Sequence, residues 1–258
     1  MRNFVITAAA LAAAPAAAQE TKAELGSGIE YQEGEYGTGE RIEILSVPNS
    51  LRLRSGRVTV SGSLPWQRVE GPGNAVGGGG LLGIPIVIDP TKPATRRVRQ
   101  GLGDARVGAA YTVPRESLGG VAVSVAGEVK VPTASRAKGM GTGEVDYTVG
   151  AEVSTKVGNV APFASVGYTM PGDPEGFELR NSVSARAGAA LGLSKSAEAH
   201  VSYGYAKSVS PLVPHEQQVS TGVNARLSKR LSVGLEGSAG LSDGSPDVGA
   251  GLRIGIRM

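Results

Sequence analysis

Apolar and polar residues alternate along strand-length segments over most of this chain. Near the C-terminus, Val248, Ala250, Leu252, Ile254 and Ile256 share one phase, and Gly, Asp and Arg fill the positions between them. Because successive side chains of a β-strand point to opposite faces, a period of two predicts one apolar face and one polar face. The polar positions are mostly Gly, Ser and charged residues. An apolar exterior around a polar interior is typical of a transmembrane β-barrel.

The alternation predicts an all-β fold, a single antiparallel up-and-down barrel of about twelve strands, with ten or fourteen as alternatives. Short and long connections alternate, as expected for periplasmic turns and extracellular loops, and the longest predicted loop is Val69–Leu102. In the second strand, Ile42 and Ile44 fall in one phase and Leu51 and Leu53 in the other, which predicts a bulge or a bend at Pro48-Asn49. The predicted strands are Lys22–Glu33, Glu40–Arg54, Arg57–Arg68, Gly103–Val113, Gly119–Val131, Glu144–Thr155, Asn159–Met170, Leu179–Leu191, Ser196–Lys207, His215–Leu227, Leu231–Leu241 and Asp247–Met258.

The first eighteen residues have the pattern of an export signal. Arg2 precedes the short apolar stretch Phe4–Ala14, and Ala16-Ala17-Ala18 matches an A-x-A cleavage site. We therefore expect a signal peptide over 1–18 and a barrel domain over 19–258, located in the outer membrane of a Gram-negative bacterium. The expected partners are the barrel assembly machinery, outer-membrane lipid and lipopolysaccharide, and a small-molecule solute. A secreted β-sandwich that buries the apolar face is the soluble alternative.

Composition excludes several kinds of chemistry. The chain has no Cys, so it can form neither a disulfide nor a thiolate metal site. Its net charge of +3 comes from interspersed cations and anions, and this distribution argues against nucleic acid as a partner. We expect no cofactor and no metal.

The inward phase of the strands carries charges of both signs. Such a wall either braces the lumen with ion pairs or forms a pore whose field acts on a solute. The even mixture of signs argues against strong ion selectivity, and twelve strands predict a lumen narrower than that of larger porins. The lumen-lining candidates are Asp104, Arg106, Glu128, Lys130, Glu144, Asp146, Glu152, Arg180, Arg186, Glu198, His200, Arg226, Glu236, Arg253 and Arg257.

The predicted loop Val69–Leu102 is the candidate functional element. It combines the run Gly77–Gly80 with an apolar stretch and an arginine cluster. An apolar loop can fold into the barrel mouth as a constriction, or it can extend above the membrane as a hairpin or lid. The arginines can pair with lipopolysaccharide phosphates or face solvent. The constriction candidates are Leu82, Ile84, Ile86, Ile88, Arg96, Arg97 and Arg99.

One spacing raises the possibility of an enzyme. His200-Val201-Ser202 has the His-x-Ser spacing of outer-membrane phospholipase A, but the residues that follow, Tyr203–Ala206, depart from that family's Asn-Gly-Arg-Ser. Ser catalysis needs a base and a third orienting group, and no third group is identifiable. We expect a His in the barrel wall that bonds Glu198 or water, and no catalysis.

Several segments resemble a known family. They include Gly101–Asp104, Val129–Thr133, Gly141–Tyr147, Val166–Tyr168 with Gly172–Pro174, and Gly240–Asp247. Over most of the mature chain these strand and turn signatures resemble the outer-membrane "transporter" proteins of the meta-pathway of phenol degradation. The resemblance implies passage of aromatic or other hydrophobic compounds, and it carries no catalytic residues. One departure is the terminal Arg257-Met258, where outer-membrane barrels usually end in an aromatic residue.

These observations lead to an outer-membrane channel that passes small, hydrophobic or aromatic solutes through a narrow lumen of mixed charge. The alternative is a non-conducting barrel with a structural or adhesive role. A lipid-modifying enzyme is a third hypothesis.

Overall fold

A computed structural model describes residues 21–77, 86–89, 92–176 and 178–258. The expected signal peptide, 1–18, and the loop residues Leu82 and Ile84 lie outside these ranges. The described strands are β1 Lys22–Gly34, β2 Ile42–Ser55, β3 Val58–Pro72, β4 Ala75–Val76, β5 Val87–Ile88, β6 Arg96–Leu102, β7 Ala105–Val113, β8 Val121–Val131, β9 Asp146–Thr155, β10 Val160–Met170, β11 Ser182–Gly192, β12 Ala197–Ala206, β13 Glu216–Arg226, β14 Leu231–Gly240 and β15 Val248–Arg257, with one 3-10 helix at Arg115–Ser117.

The main sheet closes on itself as an antiparallel barrel. Its order runs from β2 through β1 and β15 back along the chain to β7 and β3, and β2 also pairs with β3. β6 and β7 follow one another along β3, so they form one interrupted stave, and the thirteen strands of the sheet make a barrel of twelve staves. Closure pairs the backbone of the staves on both sides, as a lipid environment requires, except that among the described strands β6 pairs only with β3. The twelve predicted strands are confirmed.

The apolar face of the barrel points outward. On adjacent strands, Val107, Val125 and Val149 are each about half exposed, whereas Arg106, Glu128 and Thr148 occupy the opposite phase. This arrangement suits a hydrocarbon exterior, because only a non-aqueous surround favours a continuous exposed band of Val, Leu and Ile. Among the described residues, no helix is long and apolar enough to cross a membrane.

Short and long connections lie at opposite ends of the barrel. The connections 56–57, 114–120, 156–159, 193–196 and 227–230 are at one end, called here the turn end, together with Lys22 and Arg257. The connections 35–41, 73–95, 132–145, 171–181, 207–215 and 241–247 are at the other, called the loop end. This alternation agrees with the pattern predicted from the sequence.

The predicted bulge in the second strand is wrong. β2 pairs with β3 without a break from Glu43–Glu70 to Ser55–Val58, and Pro48 stands opposite Pro65. Ile42 and Ile44 therefore remain in the same inward phase as Ser50 and Arg52. Their apolar character reflects contact with loop residues inside the barrel mouth, because both side chains are fully buried there.

The real irregularity lies between β6 and β7. Trp66 pairs with Leu102, but Ser63 pairs with Arg106, so one extra residue enters the strand at Gly103-Asp104. An extra residue reverses the phase of a strand. The outward set therefore changes from Val98 and Leu102 in β6 to Val107 and Tyr111 in β7.

The predicted loop Val69–Leu102 is too long at both ends. β3 continues to Pro72, and β6 begins at Arg96, so the connection spans 73–95. This part of the hairpin is rich in charge and lies beyond the apolar band. Lipid contact selects apolar residues on one face of a strand. Where neither face contacts lipid, apolar and polar residues do not alternate, and the sequence does not indicate a strand.

Candidate solute pathway

A cavity of about 840 Å³ occupies the lumen at the turn end. Its walls come mainly from β1, β2 and β12 to β15. The inward phase of β1, with Glu24, Gly26 and Glu30, supplies two acids among small residues. Six cationic side chains face three acidic ones: Arg52, Lys156, Lys195, Arg226, Arg253 and Arg257 against Glu24, Glu30 and Glu198.

Most of the acidic charge in this cavity is paired. Arg253 donates to Glu30 Oε1 through Nε at 2.9 Å and Nη2 at 2.7 Å, and Arg257 donates to Glu24 Oε2 at 3.0 Å. Arg52 also lies 3.9 Å from Glu24. The expected balance of charge therefore does not hold locally, because the wall around this cavity has an excess of cations. Such a wall favours anions in the pore water.

A smaller cavity of about 230 Å³ lies at mid-height and centres on Glu236. The carboxylate has Arg186 at 3.9 Å, His200 at 3.8 Å and Arg253 at 3.8 Å. These separations exceed direct hydrogen-bond lengths, so they leave space for water between the groups. A Cβ on Gly222 would lie 2.6 Å from His200 Cε1, so glycine at this position lets the imidazole reach across the wall.

The described part of the loop end of the lumen is lined by packed apolar side chains. The segments β4 and β5 pair with each other inside the mouth, and Ile86, beside β5, is buried against Ile42 and Ile44. The remaining members of this cluster, called the mouth cluster, are Tyr36, Val69, Ala75, Ala134 and Met140, with Ile88 packed against it. Burial raises the pKa of Tyr36, because its hydroxyl is removed from water. The loop 73–95 thus narrows the mouth from inside.

The three predicted arginines of this region separate into different roles. Arg96 faces outward and contacts Glu70 at 3.3 Å and Glu43 at 3.6 Å. Arg99 faces inward, is only 7% exposed, and donates Nη1 to the carbonyls of Ala75 at 2.6 Å and Gly139 at 3.0 Å. Its Nη2 also reaches the carbonyl of Pro72 at 3.2 Å. Arg99 therefore connects two loops across the mouth by hydrogen bonds. In the described structure, the side chain of Arg97 forms no hydrogen bond of this kind.

A buried ion triad joins three staves near the loop end. Lys130 Nζ lies 2.8 Å from Asp146 Oδ2 and 3.4 Å from Asp104 Oδ2, and it donates to Thr142 Oγ1 at 3.2 Å. Both acids also accept loop N–H groups, Asp104 from Ala134 and Asp146 from Gly172, each at 3.0 Å. Because all three side chains have ionic and hydrogen-bond partners, the triad stabilises the loops that it contacts.

The other predicted lumen residues lie along the same inward phase. Arg106 and Glu128 form an ion pair at 2.6 Å. Glu152 continues the phase of Asp146 toward the turn end and is exposed. Glu144 and Arg180 lie just before their strands, in the loops, and Arg180 Nε donates to the carbonyl of Ser208 at 2.9 Å.

The His-x-Ser spacing does not form a nucleophile pair in the described structure. Ser202 Oγ accepts a hydrogen bond from Arg186 Nε at 3.0 Å, and His200 lies beside Glu236 rather than the expected Glu198. Within the described ranges, no cluster of three or more His, Asp or Glu side chains could hold a metal ion.

Sequence reasoning missed several lumen residues. Glu24 and Glu30 alternate with Leu25, Ile29 and Tyr31 in β1, a signal that was present but weakened by the two glycines between them. Lys156 and Lys195 sit in turns, where no alternation identifies an inward direction.

The comparisons with known proteins agree with this architecture. The model of the family described as the MetA-pathway of phenol degradation matches residues 46–258, so the chain belongs to that family. No match was found among curated proteins.

Solved structures share the fold. The chain is similar to the COG4313 outer membrane channel from Pseudomonas putida F1, with a TM-score of 0.67 and 13% identity over 94% of this chain and 96% of that one. It is also similar to the KdgM porin, with a TM-score of 0.52 and 9% identity over 91% and 97%. For the NanC porin, the TM-score is 0.53 and the identity 7% over 90% and 98%. The barrel is therefore of the outer-membrane type.

Proposed function

We propose that this protein is a channel in the outer membrane of a Gram-negative bacterium, with its loop end outside and its turn end in the periplasm. The exposed apolar band and the alternation of loop lengths support this placement. Outward Tyr31, Tyr147, Tyr168 and Tyr203 lie toward the loop end, where aromatic side chains of such barrels meet the interface. Delivery through a signal peptide and the barrel assembly machinery belongs to the same proposal.

The channel proposal rests on one observation: the side chains that line the lumen change from apolar at the loop end to charged at the turn end. The mouth cluster provides apolar contact at the outside, and the charged cavity at the turn end provides space and water. A small hydrophobic or aromatic solute would contact the mouth cluster first and then pass the wall around Glu236. The neighbours that are channels and porins support passage of a solute, and the family's link to phenol degradation supports this solute class.

The proposal treats the protein as a non-enzyme. The only sequence-level candidate for catalysis, His200 with Ser202, has each side chain engaged elsewhere. Outward Arg96 at the loop end, whose side chain is still 41% exposed beside its glutamate partners, supports contact with lipopolysaccharide.

A flux assay tests the solute class. Proteoliposomes with the refolded mature barrel should take up phenol-sized aromatic solutes faster than a sugar of similar mass. A double variant, Ile42→Ser with Ile44→Ser, should reduce this preference, because it removes the apolar surface from the mouth. The lipid-facing pair Leu51→Ser with Leu53→Ser on the same strand is the matched control. Equal uptake of both solutes by wild type would contradict the proposed class.

A second candidate function is a closed barrel with a structural or adhesive role. The filled mouth supports it, because Arg99 and the mouth cluster together close the loop end. Excision of residues 74–89 with a short Gly-Ser replacement separates the two. A channel should gain conductance, whereas a barrel closed along its whole length should stay silent.

A further inference from the structure

A third cavity, of about 480 Å³, lies at the loop end beside β6, and neither the solute pathway nor the ion triad uses it. Lys92 and Pro93 line one side, Arg97 and Arg99 line the strand side, and Lys138 comes from the loop before β9. Four cationic side chains thus converge on one space. This cluster is called here the cationic pocket.

The charge of the cationic pocket is poorly compensated. Lys92 pairs with the buried Asp89 at 3.5 Å. Within the described ranges, the side chains of Arg97 and Lys138 have no ion pair and no hydrogen bond. Arg99 is buried and bonds only to carbonyls, and its Nε has no partner. Arg99 is therefore a buried cation without a counter-charge among the described residues, and Arg97 and Lys138 add two exposed cations beside it, so the pocket favours an anion.

The backbone around the cationic pocket adds neutral donors and fixes its shape. In the described structure β6 pairs only with β3, so its other edge carries N–H groups that no strand takes up. Gly139 has a φ of 71°, and a Cβ there would lie 2.9 Å from Arg99 Nη1. Glycine at this position therefore allows the loop that carries Lys138 to approach the buried arginine.

The cationic pocket lies at the loop end of the outward apolar band. Val98, which lines it, is 54% exposed and shares the outward phase of Leu102, which pairs with Trp66. Val98 lies four residues beyond Leu102, or about 13 Å along the strand. With the loop end outside, as proposed above and on which this step rests, the pocket lies at the outer edge of the apolar band, near the phosphate groups of an outer leaflet.

We propose that the cationic pocket is a binding site for a phosphate group carried on a small molecule or a lipid. Guanidinium groups hold phosphate oxygens through paired hydrogen bonds, and Lys adds a point charge. Three unmatched cations favour the doubly charged phosphate over a singly charged carboxylate. A volume of about 480 Å³ also accommodates the sugar that carries the phosphate. The two sources are lipid A phosphate and a free phosphate ester at the channel entrance.

Two probes and one pair of variants test this site. The first probe is inorganic phosphate, measured by calorimetry on the detergent-solubilised mature barrel. The second is bisphosphorylated lipid A, measured by native mass spectrometry. The test variant is Arg97→Gln with Lys138→Gln, because both side chains are exposed and free of other contacts. The control, Lys229→Gln with Arg230→Gln, removes one Lys and one Arg from a connection at the turn end.

The test variant should raise the dissociation constant of a phosphate probe by about tenfold or more, because charge-assisted hydrogen bonds are lost. The control should change it by less than twofold. Variant-sensitive binding of inorganic phosphate assigns a free phosphate ester as the source, and such binding of lipid A alone assigns the lipid headgroup. Equal binding by the wild type and the test variant for both probes, or an equal loss in the control, would overturn the site.

Discussion

Arg253 and Glu30, which are 223 positions apart in the chain, form a two-donor hydrogen bond inside the lumen. They lie on β15 and β1, the last and first strands, whose pairing closes the barrel. The same arginine lies 3.8 Å from Glu236, so one side chain connects the barrel closure to the centre of the pathway. Because Arg253 is still 55% exposed, its charge remains available to ions in the pore water.

Replacing Glu30 with Gln should therefore change ion selectivity more than stability. Loss of the carboxylate frees Arg253 and adds one positive charge to a wall already rich in cations, so the reversal potential in a salt gradient should move toward anions. The stability loss should stay within about 1 kcal/mol, as for other exposed pairs. Glu116→Gln removes the same charge from the 3-10 helix outside the lumen and serves as the control. An unchanged reversal potential in the Glu30 variant would mean that Glu30 and Arg253 do not line the conducting path.

Replacing Arg99 with Gln should loosen the mouth. The change removes three hydrogen bonds from a charged donor, and such bonds contribute about 1.5–3 kcal/mol each before relaxation. Hydrogen exchange at Ala75, Val76 and Val87 should accelerate, and single-channel records should show more frequent openings. Arg96→Gln, on the outward side of the same strand, should change neither. Identical exchange in the two variants would show that Arg99 does not hold the loop.

Truncating Ile44 to Ala tests the packing of the mouth cluster. The side chain is fully buried, so the variant should lose about 2–4 kcal/mol of local stability through lost burial and a cavity. The loss should appear as faster hydrogen exchange in β4 and β5 and as higher conductance. Leu51→Ala, a lipid-facing position on the same strand, should leave both properties near wild type. Slow exchange in the Ile44 variant would mean that the cluster contributes little.

Lys130→Met should be strongly destabilising. Lys130 and Asp146 are 5% and 4% exposed, so removal of the cation leaves two buried acids, Asp104 and Asp146, without their partner. Breaking a buried ion pair in this way costs about 3–5 kcal/mol. Thermal unfolding followed by the heat-dependent gel shift of barrels gives the measurement. Addition of Asp146→Asn should recover part of the loss, and a variant as stable as wild type would contradict this stabilising role of the triad.

The strand count could be predicted because lipid imposes one rule on the whole exterior. Where a stave crosses the apolar band, as in β8 or β15, period-two alternation identifies both its existence and its inward phase. This alternation is lost where a strand face contacts something other than lipid or the water of the lumen. Ile42 and Ile44 suggested a bulge because an inward apolar pair is unexpected until a loop is known to fill the mouth. β6 was missed because it lies beyond the lipid.

The partners of the lumen charges could not be predicted for a different reason. The alternation of apolar and polar residues indicates which face of a strand a residue occupies. Which lumen charges form ion pairs also depends on the strand register and on the position of each side chain along the barrel axis. Thus Glu236 was expected on the lumen wall, while its position among Arg186, His200 and Arg253 required the four registers that link the five strands β11 to β15. The roles of Arg96 and Arg99 separated only when the outward surroundings of Arg96 and the inward surroundings of Arg99 were known.

The central claim is that one continuous lumen conducts and that the loop 73–95 narrows it. Single-channel recording in a planar bilayer with a salt gradient tests this most directly, using the wild-type mature barrel and the variant without residues 74–89. We expect discrete conductance steps for both proteins, larger steps for the variant, and a reversal potential that favours anions. Silence from both proteins, when each is demonstrably folded, would contradict it.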